Sequence, residues 1–574
     1  MKQLLKYMKG YEKQCVLGPL FKLLEATFEL LIPLVVATIV DTGIGSGDKG
    51  YIVKMCLVMV ALGVIGLICA VTAQYFAASA AVGVAARLRS AVMGHIMGFS
   101  YTQIDEIGTS TLVTRMTSDI NQVQNGVNLT LRLLLRSPFV VFGAMIMAFT
   151  IDFEAALVFA GVIPLLCIVV FGIMLITMPM YKRVQAGLDR VTAATRQNLS
   201  GVRVLRAFCA EEQEVENFTA QTQELTERQM NAGSVSALMN PVTVVMINLA
   251  VILLVRIGAV KVEHGLLTQG LVIALYNYMS QILVELVKMA NLIITMTKAV
   301  ACANRVQTVL DMEPDRAEGE TVSQIKGEIE FRDVSAKYAG AAEASVEGIS
   351  FHVKPGQTIG VIGGTGAGKS TLVNLIPRLY DASQGQVLID GVDVAQMDGK
   401  QLRKAIGIVP QKALLFHGTI RDNLCWGKEN ATDEELWAVL ETAQAGEMVR
   451  TREDQLDAEV AQGGRNFSGG QRQRLTIARA LVRKPAILIL DDSASALDYA
   501  TDAKLRLAIR NMANPPTTII VSQRAASVRF ADQILVLDDG MLVGKGTHDE
   551  LMADCAVYQE IYRSQFSEEV TNHG

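Results

Sequence analysis

The chain has 574 residues, a formal net charge of −5, 51% hydrophobic residues and 19% charged residues. This length exceeds that of one compact domain, and so apolar a composition is uncommon in soluble proteins, which indicates membrane-spanning segments. The slight acidic excess gives no electrostatic support for nucleic-acid binding, so no nucleic-acid partner is expected. The 8 cysteines are scattered without a C-x-x-C pair, so neither a disulfide framework nor a metal cluster is predicted.

Long apolar segments occupy the first 300 or so residues of the chain. A helix needs about 20 apolar residues to cross the hydrocarbon core of a bilayer. The start, MKQLLKYMKGYEKQ, is basic and amphipathic, which predicts an interfacial helix leading into the first span rather than a cleaved signal peptide. Six candidate spans lie near residues 16–41, 54–81, 134–151, 155–178, 238–260 and 267–297.

The connections between these segments alternate in length and charge. Those after the second and fourth segments are long, polar and basic, whereas the others are short and carry few basic residues. The positive-inside rule therefore predicts a multi-pass protein of the plasma membrane, of bacterial style, with both termini in the cytoplasm. A soluble helical domain with buried helices is the alternative, which this charge alternation disfavours. The basic residues of the two long connections include Arg87, Arg89, Arg115, Lys182, Arg183, Arg190, Arg196, Arg203, Arg206 and Arg228.

A few charged residues fall inside the apolar segments, among them Glu25, Glu29, Glu285 and Lys288. Charge within a membrane is costly and usually faces a cavity or a partner, so one interpretation is a pocket that accommodates a cation. The other interpretation is purely structural, with i,i+3 pairs between Lys22 and Glu25 and between Glu285 and Lys288.

Two arginines near the third apolar segment, Arg132 and Arg136, are interpreted as lying in a helical extension beyond the bilayer. A membrane helix can continue past the lipid, so depth counted from the sequence does not place these side chains.

From about Gly327 the pattern changes to short apolar runs that alternate with amphipathic segments and glycine-rich turns. This alternation is typical of an α/β nucleotide-binding domain. The predicted fold is an all-α membrane domain of six helices followed by an α/β P-loop nucleotide-binding domain. The predicted boundaries are 1–310 for the membrane domain, 311–326 for a polar linker and 327–574 for the nucleotide-binding domain.

The segment QTIGVIGGTGAGKSTLVNLI contains the G-x-x-x-x-G-K-S pattern between a predicted strand and a predicted helix. Backbone N–H groups of such a loop surround phosphates, and the helix N-terminus adds partial positive charge. Lys369 can reach the β- and γ-phosphates, and Ser370 can ligate Mg²⁺. The predicted phosphate-binding residues are Gly363, Gly364, Thr365, Gly366, Ala367, Gly368, Lys369, Ser370 and the adjacent Thr371.

A second acidic candidate follows a later apolar strand, in ILILDDSASALD. Asp491 ends that strand and is predicted to hold Mg²⁺, usually through water. Many strands end in Asp, so Asp491 alone would be a weak indication. The phosphate-binding loop in the same domain strengthens the prediction that it holds Mg²⁺. ATP and Mg²⁺ are therefore the expected ligands.

The segment NFSGGQRQRLTIARAL (Asn466–Leu481) resembles the signature sequence of ABC transporters. With six predicted spans and one nucleotide-binding domain, the chain resembles an exporter-type half-transporter over nearly its whole length. The resemblance implies that the signature caps the γ-phosphate of ATP held by the phosphate loop of the other subunit. The matching residues are Ser468, Gly469, Gly470 and Gln471, with Phe467 where Leu is more usual.

Other positions match the family in order along the chain. Tyr338 lies where an aromatic residue stacks on adenine, and Gln411 matches the glutamine that touches Mg²⁺ and faces the membrane domain. Residues Ser495–Asp498 match the D-loop. The regions Ser100–Leu112 and Leu199–Phe208 resemble coupling helices, the cytoplasmic segments that contact the nucleotide-binding domains.

The sequence departs from the family pattern at two chemical positions. Asp492 stands where the catalytic Glu belongs, and Gln523 stands where the switch histidine belongs; Gln462 is a milder change, where Glu is frequent. A carboxylate drawn back by about 1 Å can cost about a hundredfold in rate. Gln can hydrogen-bond the γ-phosphate but cannot become cationic. With Gln411, these residues form a site expected to bind ATP and to hydrolyse it slowly.

An impaired base beside an intact signature predicts one half of a heterodimeric exporter. A non-identical partner subunit would supply Glu and His, and the substrate would be a small, drug-like or amphiphilic molecule taken from or across membrane lipid. The alternatives are a slow homodimeric exporter of lipid or peptide and a regulatory membrane subunit gated by nucleotide.

Overall fold

The structure, a computed structural model, describes residues 6–314, 319–322, 324–338 and 340–566. Contacts divide the chain into two compact units, Met1–Met97 with Ser110–Glu313 and Gly98–Thr109 with Pro314–Gly574. The predicted interfacial helix and the predicted linker fall partly outside the described residues.

The first unit is helical. Among the described residues, six helical segments are long and apolar enough to cross a membrane, as the sequence predicted: Glu12–Ile44, Lys49–Ile96, Thr109–Ile151, Phe153–Ala207, Glu211–Glu263 and Gln269–Asp311. They consist of α1 (Glu12–Thr38), α2 (Lys49–Ile96), α4 (Thr109–Thr114), α5 (Ile120–Leu133), α6 (Arg136–Ile151), α7 (Phe153–Ala207), α8 (Glu211–Ala237), α9 (Met239–Glu263) and α10 (Gln269–Asp311), with π-helical turns at Ile39–Ile44 and Arg115–Asp119.

These helices run well past the apolar stretches that predicted them. The helix α7 has 55 residues, whereas the sequence predicted a span over 155–178. At 1.5 Å per residue it is about 80 Å long, far more than about 30 Å of hydrocarbon. Polar residues mark the helix starts, since Asp48 accepts a hydrogen bond from the Tyr51 amide at 3.1 Å and Asp152 accepts one from the Ala155 amide at 2.8 Å.

Small side chains form much of the contact between α1, α6 and α10. Ala26, Ala144 and Ala274 have no exposed surface. Small residues let helix backbones approach closely, and this packing lets longer side chains such as Tyr278 be buried beside them.

The second unit is α/β, with α3 (Tyr101–Ile107) attached to it. Its strands are β1 (Ile329–Ala336), β2 (Val346–Val353), β3 (Thr358–Gly363), β4 (Gln384–Ile389), β5 (Val392–Asp393), β6 (Ile406–Val409), β7 (Gly418–Thr419), β8 (Glu459–Val460), β9 (Ile487–Asp491), β10 (Thr517–Val521), β11 (Gln533–Asp538) and β12 (Met541–Gly546). Its later helices are α11 (Lys369–Leu375), α12 (Gly399–Ala405), α13 (Ile420–Cys425), α14 (Asp433–Thr442), α15 (Gly446–Arg450), α16 (Gly469–Leu481), α17 (Tyr499–Arg510), α18 (Ala525–Val528), α19 (His548–Asp554) and α20 (Ala556–Phe566).

The central sheet positions the candidate site. Its strand order is β12-β11-β3-β10-β9-β6, and a four-stranded antiparallel sheet has the order β2-β1-β4-β5. Strand β10 pairs in parallel with both β3 and β9, with Val521 opposite Val361 on one side and Asp491 on the other. The carboxyl ends of parallel strands meet at one edge of a sheet, so the residues that follow β3, β9 and β10 converge there.

Candidate functional site

A cavity of about 480 Å³ lies at this edge of the central sheet. Most of the predicted site residues line this cavity. Gly363 and Gly364, also predicted to bind phosphate, directly precede the lining residues. Its predicted lining residues are Tyr338, Thr365, Gly366, Ala367, Gly368, Lys369, Ser370, Thr371, Gln411, Asp491, Asp492 and Gln523.

The phosphate-binding loop takes a backbone path that only glycine adopts without strain. Gly366 has φ +86° and Gly368 has φ +87°. A Cβ atom at Gly368 would also lie 2.3 Å from the Ser345 carbonyl oxygen. The loop leads directly into α11, whose first residue is Lys369. The loop and the first residues of α11 thus both line the cavity, which is the arrangement that an anion site uses.

Lys369 supplies a positive charge at the cavity. Its Nζ donates a hydrogen bond to the Gly363 carbonyl at 2.9 Å. Burial lowers the pKa of this ammonium group, and the carboxylates of Asp492 and Asp491 oppose that shift. Lys369 thus interacts with two carboxylates and with the predicted phosphate-binding loop, which suits an ammonium group that binds a polyphosphate.

Ser370 and Asp491 fit a Mg²⁺ ion. Ser370 Oγ donates a hydrogen bond to Asp491 Oδ1 at 3.1 Å, which places two hard oxygen ligands together in the cavity. Burial raises the pKa of Asp491, Asp492 adds to that rise, and the Ser370 hydrogen bond and Lys369 oppose it. Ser370 and Asp491 would hold a divalent cation here, and the cation would supply positive charge to a bound phosphate.

The two substituted positions lie in the same cavity. Asp492 has φ +45°, and its amide donates a hydrogen bond to the Val521 carbonyl at 3.0 Å. Gln411 Nε2 donates to Asp492 Oδ2 at 3.4 Å, a long hydrogen bond that leaves the Gln411 side-chain oxygen available. The Gln523 side chain is exposed and lines the cavity after β10. The structure thus places Asp492 and Gln523, the two residues that depart from the family pattern, in the same cavity as the predicted phosphate-binding loop.

Two residues that the sequence did not single out hold the loop around Gln523. Gln565, on α20, donates its Nε2 to the Gln523 carbonyl at 2.7 Å and accepts from the Ala525 amide at 2.8 Å. Arg524 donates to the carbonyls of Ala494 and Leu497 in and beside the D-loop, at 3.2 and 3.1 Å. The sequence could have indicated Arg524, because it directly follows the candidate residue Gln523. No local pattern in the sequence identifies Gln565.

Tyr338, which is predicted to stack on adenine, is connected to α3 through a second tyrosine. The Tyr338 hydroxyl lies 3.1 Å from Thr371 Oγ1, and its ring meets that of Tyr380 edge-on at 5.0 Å. Tyr380 in turn donates its hydroxyl to Asp105 Oδ2 at 2.7 Å, and its ring lies 6.0 Å from that of Tyr101. Burial and the Asp105 carboxylate raise the pKa of Tyr380, so it remains a donor. Tyr380 is a further residue that the motifs did not identify.

The signature residues begin a helix outside this cavity. Ser468 caps α16, because its Oγ accepts from the Gln471 amide at 3.3 Å while Gln471 Oε1 accepts from the Ser468 amide at 3.0 Å. Phe467 is 4% exposed with the Arg452 guanidinium 4.0 Å from its ring centre, so its departure from Leu is accommodated by core packing. Of the lining residues that the structure describes, none is Ser468, Gly469, Gly470 or Gln471.

The charged residues predicted inside the apolar segments make two groups of ion pairs in the helical unit. Lys22 pairs with Glu25 at 2.5 Å, one of the two i,i+3 pairs considered from the sequence. Arg136 is buried and pairs with Glu285 at 2.5 Å and with Glu29 at 2.6 Å. The sequence did not predict these ion pairs, because their members are 149 and 107 residues apart. The other i,i+3 pair, Glu285 with Lys288, is present at 2.8 Å.

The fold and the site together define a membrane-embedded ATPase of the ATP-binding cassette class. A family model described as the ABC transporter transmembrane region matches residues 15–286, and one described as ABC transporter matches residues 346–495. An uncharacterized ABC transporter ATP-binding protein of Mycobacterium tuberculosis is 38% identical over 572 residues, covering 98% of this chain and 97% of the relative. The chain belongs to the ABC transporter family, as the signature sequence predicted.

Other relatives extend over the whole chain. The uncharacterized ABC transporter ATP-binding protein YfiB of Bacillus subtilis is 35% identical over 570 residues, covering 99% of both chains. An ATP-dependent lipid A-core flippase of Vibrio vulnificus is 27% identical over 569 residues, covering 99% of this chain and 98% of the relative. A solved bacterial Atm1-family ABC exporter with ATP bound has a TM-score of 0.80 at 22% identity, over 98% of this chain and 99% of that one, which shows the same fold. This protein is thus a multi-pass transport ATPase of exporter fold.

Proposed function

We propose that this chain is one half of a heterodimeric ABC exporter, in which ATP closes two nucleotide-binding domains and drives a small amphiphilic molecule across the plasma membrane. The nucleotide-binding domain, residues 327–574, would be cytoplasmic, joined by residues 311–326 to the membrane domain, residues 1–310. This chain's own ATP site would bind Mg²⁺-ATP firmly and hydrolyse it slowly.

One observation carries the proposal: Asp492 and Gln523 line the same cavity as Lys369, Ser370 and Asp491. The binding groups are intact there, whereas both groups expected to act on the attacking water and the γ-phosphate are altered. A general base must reach its proton within hydrogen-bond distance, so a carboxylate one methylene shorter loses efficiency. Gln523 offers a neutral donor where His can offer a positive charge.

The intact signature supports an unlike partner. Ser468 and Gln471 form a reciprocal cap at the start of α16, and these residues do not line this chain's own described ATP cavity. They would complete the ATP site of a partner that carries Glu and His at the positions of Asp492 and Gln523. Hydrolysis at that complete site would reset the transporter.

The C-terminal end of α7 together with the residue that follows it, Leu199–Phe208, also supports association with a second subunit. This is one of the two stretches that resemble coupling helices, and its side chains Leu199, Val204 and Phe208 are 73%, 59% and 79% exposed. Exposed apolar clusters of this kind usually mark contact surfaces. A partner's nucleotide-binding domain would cover them.

The test compares the purified chain alone with the chain co-expressed with a half-transporter that carries Glu and His at the two matching positions. We expect slow ATP turnover by the chain alone, faster turnover by the pair, and ATP-dependent accumulation of an amphiphilic dye in inside-out vesicles only with the pair. Equal turnover and full transport by the chain alone would contradict the heterodimer.

A slow homodimeric lipid exporter is the second candidate, favoured by the full-length similarity to the Vibrio vulnificus flippase. It predicts that the chain alone, reconstituted in liposomes, moves a labelled lipid in an ATP-dependent way. A regulatory subunit gated by nucleotide would bind ATP yet give no uphill accumulation with any partner.

A further inference from the structure

The helical unit contains a cavity of about 380 Å³ bordered by α1, α6 and α10. It differs from an ordinary gap between apolar helices, because polar side chains make up six of its ten lining residues. Polar side chains are costly within membrane helices and are a frequent mark of a ligand pathway. The polar lining residues are Glu29, Asn277, Ser280, Gln281, Glu285 and Lys288.

One of the two carboxylates in this cavity is fully engaged. Glu285 is 3% exposed and accepts hydrogen bonds from Arg136 at 2.5 Å, from Lys288 at 2.8 Å and from Ser137 at 2.9 Å. With three donors on its two oxygens, Glu285 holds the helices together and has little capacity left for a ligand.

Glu29 is different. Its Oε2 accepts from Arg136 at 2.6 Å, and among the described residues no donor approaches its Oε1. The side chain is 38% exposed and lines the cavity. Glu29 therefore presents a carboxylate oxygen, held in place by Arg136, to whatever occupies the cavity.

Lys288 presents the opposite charge. Its ammonium donates to Glu285, is 43% exposed and lines the same cavity, and an ammonium group has three donors. Beside it, the carbonyl oxygen of Gln281 is buried and has no hydrogen-bond partner among the described residues. An unpartnered buried acceptor costs free energy, which a bound donor would recover.

The charges of this region balance. The group contains three positive and three negative side chains, and each of the six makes an ion pair within it. The positive residues are Lys22, Arg136 and Lys288, and the negative residues are Glu25, Glu29 and Glu285. Adding a ligand with a single charge would leave one charge uncompensated in an apolar environment. A ligand that carries both signs would bind the second oxygen of Glu29 and the remaining donors of Lys288 without that penalty.

We propose that this cavity binds a zwitterionic headgroup, with its ammonium on Glu29 and its phosphate or carboxylate on Lys288. The apolar part of the ligand would lie against Ile32, Val140 and Val284, which line the same cavity. This inference rests on the proposed export function and names the chemical class of its substrate.

A ligand series on the wild-type, full-length protein in detergent tests the charge requirement without any variant. The probes carry a monounsaturated chain of the same length: 1-oleoyl-lysophosphatidylethanolamine is zwitterionic, 1-oleoyl-lysophosphatidylglycerol is anionic and oleylamine is cationic. We expect the zwitterion to bind at least tenfold more tightly than either. Equal or tighter binding of oleylamine or lysophosphatidylglycerol would overturn the proposal.

A fourth probe, glycerophosphoethanolamine, separates a lipid source from a soluble one, since it carries the headgroup without the chain. Binding close to that of the lysolipid indicates a soluble zwitterion, whereas loss of binding indicates a membrane lipid. Both results support the headgroup site.

Matched variants locate the binding. Glu29→Gln and Lys288→Gln should each weaken lysophosphatidylethanolamine binding roughly tenfold, because each removes one charge-assisted hydrogen bond. Glu25→Gln and Lys22→Gln remove the same charges on α1 from a pair that does not line the cavity, and should leave binding unchanged. Equal losses in the two sets would contradict the site.

The two proposals fail in different ways. If the zwitterion binds as expected but no partner yields ATP-dependent transport, the export function is wrong and the binding site stands. If ATP-dependent export of another molecule is measured while lysophosphatidylethanolamine fails to bind, the substrate class is wrong and the exporter stands.

Discussion

At the scale of single residues, the backbone conformation of Asp492 and the length of its side chain together fix the position of its carboxylate. Asp492 has φ +45°, a left-handed conformation that Asp tolerates better than most residues with a Cβ. Its amide is fixed on the Val521 carbonyl, so the backbone cannot advance to compensate for the missing methylene. The position of its carboxylate is therefore set by side-chain length.

The double variant Asp492→Glu, Gln523→His should raise ATP turnover of the chain by up to about a hundredfold, whereas Asp492→Glu alone should raise it only modestly. The longer side chain restores the base, and His restores a group that can be cationic. Turnover is measured by phosphate release. Asp539→Glu is the matched control, since Asp539 also lines the cavity with φ +45°. An unchanged rate in the double variant would mean that these positions do not limit hydrolysis.

A second residue-scale prediction concerns Lys369, which contacts the phosphate-binding loop through the Gly363 carbonyl. Lys369→Ala should raise the dissociation constant for ATP about tenfold or more, because a hydrogen bond from a charged donor is worth about 1.5–3 kcal/mol. Binding of a fluorescent ATP analogue to the purified chain measures this. Lys504→Ala, which removes an exposed lysine of α17, should leave the constant unchanged.

At the scale of elements, the short helix α3 contacts Tyr380, whose ring meets that of the cavity residue Tyr338. Tyr380 bonds Asp105 with its hydroxyl and meets the Tyr338 ring at 5.0 Å. Ser100 caps α3 reciprocally with Gln103, so the helix is locally stable despite having only 7 residues. Tyr338 is therefore linked to α3 by one ring contact with Tyr380 and one hydrogen bond from Tyr380 to Asp105.

Tyr380→Phe keeps the ring contact and removes the hydrogen bond to Asp105. We expect ATP affinity to stay within about threefold, because Tyr338 is untouched, while substrate-stimulated turnover falls. In a double-mutant cycle with Asp105→Ala, the coupling energy should be about 1.5 kcal/mol or more, as for hydrogen bonds to charged groups. Tyr499→Phe, at a tyrosine whose hydroxyl has no hydrogen bond among the described residues, is the control. Additive effects would show that the bond is not used.

At the scale of the whole molecule, one buried arginine pairs with residues of two other membrane helices. Arg136 begins α6, is 6% exposed, and pairs with Glu285 of α10 and Glu29 of α1. Desolvating such a group is unfavourable unless its partners are present, so the three helices depend on one another.

Arg136→Ala should lower the free energy of unfolding by about 3 kcal/mol or more, because it leaves two carboxylates without their counter-charge. Thermal unfolding in detergent measures the effect. Arg132→Ala is the matched control, at a nearby arginine without an ion pair in the described chain, and should have little effect. Arg136→Met combined with Glu285→Met should recover much of the loss. Equal destabilisation by the two alanine variants would contradict a special role for Arg136.

The sequence alone determined what depends on local pattern. Apolar length predicted six membrane helices, and consecutive motifs predicted the strand–loop–helix around Lys369, the acid at Asp491 and the helix start at Ser468. Helix ends were less predictable, as in α7, because a helix continues through polar residues when its packing partners continue too.

Tertiary structure decided the contacts between distant segments. Asp105 and Tyr380 are 275 residues apart, and Glu29 and Arg136 are 107 apart, so no periodicity or spacing links them. The same holds for Gln565, which holds the loop of Gln523. Hydrogen bonds and ion pairs act over about 3 Å, and only the folded chain determines which side chains come that close.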